Sequence, residues 1–308
     1  MMAHPALSEL PLYWQDRWLD LVAGAGNWKR IDLVEDSRLI GSWVYISKKR
    51  MGLSIVSMPN LTAYSGPWIN PRYLPEEPYK RNVFLKEKLD KLALDLPKTD
   101  VFFQQLMPGF EGEFALQWLG FKQAFRYTFF VPKSTHLRQL EADAGWKARS
   151  HVKNARSLTK IRVAINFEAF KEYFRFHFPN REVNPVVRVL SALIEDKSAS
   201  IIELIDAAGK CQGISVLVWD QQCTYLLFAL RNPSANVPNS MQVLIWESIK
   251  MSLHVGRDFD FEGSVHRNIF ASFSRYGAEM RKHTIIWKTS SSMLNFAARV
   301  FNKGIYQL

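Results

Sequence analysis

Two cysteines in 308 residues exclude a disulfide scaffold and a cysteine-rich zinc cluster. Cys211 and Cys223 fall on the two arms of an expected hairpin, in which residues 211–219 turn through Asp220-Gln221-Gln222 onto 223–230. Pairing about that turn puts Cys223 near Trp219 and leaves Cys211 at the far end, so no bond between them is expected. Long apolar runs are missing too. Stretches such as Tyr225-Leu226-Leu227-Phe228-Ala229-Leu230 stop at charge or turn residues, well short of the roughly eighteen that a membrane span needs. The opening MMAHPALSELPLYW has no basic region followed by an apolar one, so no secretory leader is expected and the cytoplasm is the default compartment. His136, His151, His177, His254, His266 and His283 show no H-E-x-x-H spacing, and no metal site is expected. A G-x-S-x-G elbow and a G-x-x-x-x-G-K-[ST] loop are likewise lacking, which removes serine-hydrolase and P-loop readings.

What is present is an apolar chain, 47% of it hydrophobic, rich in aromatics (Phe 21, Trp 10, Tyr 10) and basic at a formal net charge of +11. That suffices for one large core or two of average size. The charge invites a polyanionic partner such as tRNA, a nucleotide-linked substrate or an anionic membrane surface, without choosing among them.

Periodicity predicts a first half in the order α, β, β, β, loop, α, β, α, β. A helix carrying Leu12, Trp14, Trp18, Leu21 and Val22 is followed by strands over 28–34, 39–47 and 53–58, read as an antiparallel meander. An aromatic loop over 59–68 follows, then a helix over 79–96, a strand over 101–106, a short helix over 114–119 and a strand over 121–131. After a polar connection, 132–143, come a basic helix (146–158), a strand (161–165) and helices over 167–178 and 186–195. The order then repeats: strands over 200–205, 213–219 and 224–230, a loop, a helix over 240–254, a strand over 258–262, a helix over 265–276, a strand over 278–288 and a helix over 291–301. The recurrence suggests a duplicated α/β unit, each copy a mixed, largely antiparallel sheet flanked by helices, divided as 1–132 and 133–308.

Three features carry candidate chemistry. In Asp258-Phe259-Asp260-Phe261-Glu262-Gly263-Ser264 the acids alternate with phenylalanines, so on a strand the carboxylates share one face and the rings the other. In a cleft, like charges and burial would tune Glu262, or Asp260, as a general base. At an open edge the same acids form a solvated rim, and Asp260 can also cap the next helix or pair with a nearby arginine. Residues 147–162 hold six Lys or Arg with no acid between Asp143 and Glu168. There Arg149, Lys153 and Arg156 recur at helical spacing, as a phosphate-binding stripe or a solvated face. In the aromatic loop, Thr62, Tyr64, Gly66 and Trp68 either line a pocket or pack a turn.

The stretch Ala115-Leu116-Gln117-Trp118-Leu119-Gly120-Phe121-Lys122 resembles the late helix-to-strand junction of GNAT acyltransferases. Phe259-Asp260-Phe261-Glu262-Gly263-Ser264, with a following helix ending in Tyr276-Gly277-Ala278, resembles the C-terminal segment of FemAB-like proteins, and the basic helix from Trp146 is similar to the opening of their second domain. The resemblance implies two tandem GNAT-like units, a strand 258–262 in mid-sheet beside the point where strands splay to admit an acyl donor, and acyl or aminoacyl transfer to an amine or hydroxyl. It implies acyl-CoA or aminoacyl-tRNA as donor, a small-molecule or envelope-precursor acceptor, and helix-start amides near Ser240 or Ser264 holding an anionic group. Two departures stand out. The equivalent of the CoA pyrophosphate loop, residues 231–239, has no glycine. The family's acid, a tyrosine four residues before the late glycine, is replaced by Phe273 in one copy and Leu116 in the other. A binding protein for tRNA or a phosphorylated envelope precursor, without turnover, is the rival expectation.

Overall fold

In the computed structural model, residues 9–163, 165–263 and 267–291 are described. The first half runs through a 3-10 turn, Leu12–Trp14, into α1 (Asp16–Ala23), then β1 (Trp28–Glu35), β2 (Arg38–Arg50), β3 (Leu53–Ser57), β4 (Gly66–Ile69), α2 (Pro78–Leu94), β5 (Val101–Gln105), α3 (Glu113–Trp118) and β6 (Lys122–Val131). The second half follows with α4 (Leu137–Asp143), α5 (Trp146–Arg156), β7 (Thr159–Val163), α6 (Phe167–His177), α7 (Val183–Glu195), β8 (Ala199–Asp206), β9 (Cys211–Trp219), β10 (Cys223–Arg231), α8 (Ser240–His254), β11 (Asp258–Asp260), α9 (Arg267–Phe273) and β12 (Glu279–Thr289). The expected meander is there: β2 pairs antiparallel with both β1 and β3. The expected helix over 291–301 lies outside the described residues.

Two elements escaped periodicity. β4 is four residues long, inside the aromatic loop, and pairs with β2 from Gly41 to Val44. α4 is seven residues of mixed polarity with a single buried side chain, Leu140, too short a stripe to register in the sequence.

Two compact units divide the chain: residues through Tyr127 together with those from Arg281 onward, and Thr128–Met280. In the first unit the strand order is β1-β2-β3-β5-β12, with β4 also on β2. Ile285 to Thr289 of β12 pair antiparallel with Gln105 to Val101 of β5. Its core gathers Trp43, Leu89, Phe102, Leu116, Phe121 and, from β12, Ile286. In the second unit the order is β11-β10-β9-β8-β7, joined by the end of β6 from Thr128 onward. The strand that closes the first half of the sequence thus pairs with β11, through Val131 and Phe130 opposite Phe259 and Asp260.

In the second unit the seven inner residues of β9, Gln212 and Ser215 among them, are all buried, as expected of a central strand covered on both faces. α7 presents Val186, Val189, Leu190 and Leu193 at three- and four-residue spacing and buries all four. Both thiols are free, with Thr224, one residue past Cys223, opposite Trp219 in the β9–β10 ladder. No helix among the described residues is long and apolar enough to cross a membrane.

Candidate functional site

β10 and β11 run parallel, but only for three pairs, Cys223 with Asp258 through Tyr225 with Asp260. Beyond Tyr225, β10 continues to Arg231 with β9 as its strand partner, and its ladder with β9 slips between Leu226 and Phe228. A bulge at that place increases local twist and turns the strand. The result is a length of β10 backbone, past Leu226, whose other edge has no strand pairing among the described residues. Such an edge offers amides and carbonyls to an extended ligand.

Asp260 sits where the strands part. It is 2% exposed. Its Oδ1 accepts a 2.8 Å hydrogen bond from Thr128 Oγ1 and a 2.7 Å bond from the Glu262 amide. The second contact is an aspartate closing a turn on its own backbone two residues on. Asp258, on the same strand face, accepts from the Lys133 amide at 2.7 Å. The strand ends at Asp260, so Glu262 does not extend the row of acids as expected; it takes a left-handed conformation, φ 59°, and is half-buried. Phe259 and Phe261 are buried in the unit's core, as the alternation predicts. Close by, burial lifts the Cys223 thiol well above its ordinary pKa, with the charges of Asp260, Asp220 and Asp258 adding to it. The Tyr225 phenol is raised for the same first reason.

The loop after β10 keeps its shape without glycine because side chains fasten it. Gln212, fully buried, accepts from the amides of Asn236 and Val237 through Oε1, each at 3.0 Å. Asn232 Nδ2 donates to the Cys211 carbonyl at 2.6 Å. Asn239 then supplies the left-handed residue, φ 59°, before α8, a role asparagine tolerates. Ser240, the first residue of α8, is buried, and its hydroxyl has no hydrogen-bond partner; neither does Gln242 Oε1. Ser264 lies outside the described residues.

In the aromatic loop every named residue is tied into the first unit's interior. Thr62 accepts from Trp18 Nε1 at 3.0 Å, and the Gly66 carbonyl accepts from Trp14 Nε1 at 2.9 Å. Tyr64 meets His283 edge to face with centroids 5.4 Å apart, and Trp68 is buried on β4. Their side chains stand in packing and hydrogen bonding. The descriptor of the loop that sequence could not supply is β4 itself.

Arg149, Lys153 and Arg156 meet at an open cavity of about 450 Å³ lined by α4, α5, α8 and the 3-10 turn Ser274–Tyr276. Arg149 Nη1 donates to the carbonyls of Glu141, Ala142 and Ala144 at 3.0, 3.0 and 2.7 Å, capping the C-terminus of α4. Arg156 pairs with Glu247 on α8, which Lys250 also reaches. Lys153 has no ion pair among the described residues. The buried face of α5, Ala148 and Val152, supplies apolar wall with Trp246 and Tyr276, whose rings stack at 6.3 Å. Burial raises the Tyr276 phenol, with Ser272 and Arg275 pulling the other way, and its hydroxyl is buried without a hydrogen bond of normal geometry. The stripe was legible in the sequence; Trp246, Arg275 and Tyr276 were not, because they come to it from elements 90 or more positions away. No group of three or more histidine, cysteine or acidic side chains among the described residues is placed to hold a metal ion.

The crystal structure of FemX matches over 92% of this chain and 96% of its own, with a TM-score of 0.66 at 14% identity. The structure of L-PGS from Bacillus licheniformis matches over 92% and 91%, with a TM-score of 0.54 at 11% identity. The C-terminal domain of a putative lysylphosphatidylglycerol synthetase from Agrobacterium fabrum matches over 91% of both chains, again with a TM-score of 0.54 at 11% identity. No protein-family model and no curated protein matches. The chain therefore shares the mixed α/β fold of these solved structures, and at these identities the likeness is one of fold.

Proposed function

We propose that the chain is an acyl or aminoacyl transferase of the FemAB-like type, built from two tandem GNAT-like units, 1–132 and 133–308 in element order, and acting on an amine or hydroxyl acceptor. The observation that carries this reading is the parting of the parallel strands β10 and β11 after Tyr225 and Asp260, at a bulge in β10. In this reading the unpaired edge of β10 receives the acyl portion of the donor, its amides positioned to stabilise charge that develops on the reacting carbonyl. Glu262, just past the parting and half-buried, accepts the proton of the attacking nucleophile. Asp260 serves by holding the turn that aims Glu262, through its bond to the Glu262 amide. The N-terminal amides of α8, beside the unpartnered Ser240 hydroxyl, take an anionic group of the donor. The donor is an acyl-CoA or an aminoacyl-tRNA, the acceptor a small molecule or envelope precursor, and the compartment the cytoplasm.

Turnover measured with aminoacyl-tRNA and with acyl-CoA against simple amines tests the assignment. Glu262→Gln should lower kcat by roughly a hundredfold or more with the fold intact; unchanged turnover would remove the base. One observation favours a second reading, a binding protein without turnover: Phe273, buried, stands where the family's proton-donating tyrosine is expected. Titration with tRNA and with CoA at several salt concentrations separates the two, since retained binding with no product from any donor supports the second.

A further inference from the structure

The cavity under the basic stripe has the composition of a ligand site in its own right. At about 450 Å³ it falls within the usual range for small-molecule pockets, roughly 300–1,000 Å³. That is on the order of fifteen water volumes, yet its walls are methyl groups and rings that give water few partners. Ala144, Ala148, Val152, Trp246 and Tyr276 supply its apolar lining.

Charge decides what the mouth accepts. Arg149, Lys153, Arg156 and Arg275 line it against one carboxylate, Glu141. Glu247 neutralises Arg156 from α8. That leaves three cations facing one acid, and neither Lys153 nor Arg275 has an ion pair among the described residues. Arg149 is held still by its three bonds to the end of α4, so its charge is fixed in place before any ligand arrives. Cations converging from a helix and a separate turn suit a compact head carrying two negative charges and several acceptor oxygens, which is the chemistry of a phosphate ester. The Tyr276 hydroxyl, on the wall and without a hydrogen bond of normal geometry, adds a further polar group.

We propose that this cavity binds a small organic phosphate, its apolar body between α5 and the Trp246–Tyr276 wall and its phosphate at Lys153 and Arg275 beside the fixed Arg149. The proposal does not depend on the transfer reaction. Isothermal titration of the full chain with 1-naphthyl phosphate tests it, with 1-naphthol and inorganic phosphate as the two halves of the ligand. One saturable site is expected, at least tenfold tighter than for either half and weakening as NaCl is raised. The double variant Lys153→Ala with Arg275→Ala, both on exposed side chains, should lose tenfold or more in affinity. Ala148→Phe should abolish binding by filling the cavity. Should Ala148→Phe fail to fold by circular dichroism, the double variant still decides. No binding at millimolar concentration, equal binding of 1-naphthol, or affinity unchanged in the double variant would each overturn the proposal. Glu262→Gln should bind 1-naphthyl phosphate as the unaltered chain does, which keeps failure here distinct from failure of the transferase reading.

Discussion

At the scale of single residues, burial decides which polar groups are structural commitments. His283 on β12 is 4% exposed, edge-on to Tyr64, and its pKa is lowered to about 4 by burial first and the Arg126 charge second. The folded protein therefore holds it neutral, while the unfolded chain takes up a proton below its ordinary value of 6.5. Between those values the unfolded state binds more protons, so stability rises with pH across the window from about 4 to 6.5 and is lost as pH falls through it. The full effect is on the order of 3 kcal/mol. His283→Gln should flatten the dependence of the urea midpoint on pH in that window. Asp260 is the second case. Asp260→Ala leaves the Glu262 amide without its acceptor and the Thr128 hydroxyl with only the Phe129 carbonyl at 3.2 Å, and should cost about 2 kcal/mol, read as a lowered Tm. Asp260→Asn keeps an acceptor oxygen and should cost less. The sequence placed Asp260 correctly between two buried phenylalanines. It could not show Thr128, which arrives from a strand 132 positions away, and it extended the strand through Glu262, because alternation continues in the letters after the backbone has turned.

At the scale of elements, boundaries that depend on local pattern were legible. α8 spans Ser240–His254 in the structure as in the expectation, and β7 to β10 deviate by a residue or two. Elements defined by a partner were not: β4 exists because β2 offers an edge, and α4 because Arg149 caps its end. The contact between α4 and the turn before β12 depends on Gly277. Its φ is 73°, and a Cβ there would lie 2.7 Å from the Leu140 carbonyl oxygen and 3.0 Å from Asp143 Cβ. Gly277→Ala should therefore destabilise the protein by about 1–3 kcal/mol, seen in thermal unfolding. Arg149→Ala should cost about 1 kcal/mol through the lost cap, and the loosened end of α4 should exchange its amide hydrogens faster.

At the scale of the whole molecule, element order and the pairing of sequence-neighbouring strands were readable, and the pairing of distant strands was not. The repeat of β, β, β, loop, α, β, α, β suggested that each half would close on itself. Yet β12, from Arg281 onward, lies in the first unit against β5, and the last residues of β6, from Thr128, lie in the second, where they pair with β11. Order is a local property of the letters, whereas pairing between distant strands is fixed by which apolar faces fit. Ile286, fully buried, belongs to the first unit's core, and the Leu106 amide depends on the Thr284 carbonyl at 2.8 Å. A chain ending at Gly277 should therefore lose the first unit's fold and expose β5 as an apolar edge prone to aggregate. So should the fragment 1–132. Sedimentation and circular dichroism of either fragment check this, and a soluble, cooperatively unfolding 1–132 would contradict it.

The same strand exchange sets a timetable for biosynthesis. Gln105 meets its partner Ile285 only after about 180 further residues have been made, which at roughly 5–20 residues per second takes on the order of ten seconds or more. For that interval β5 waits at the ribosome with Phe102 and its neighbours uncovered, in need of a chaperone's shelter, and the portion of the protein made first is the portion finished last.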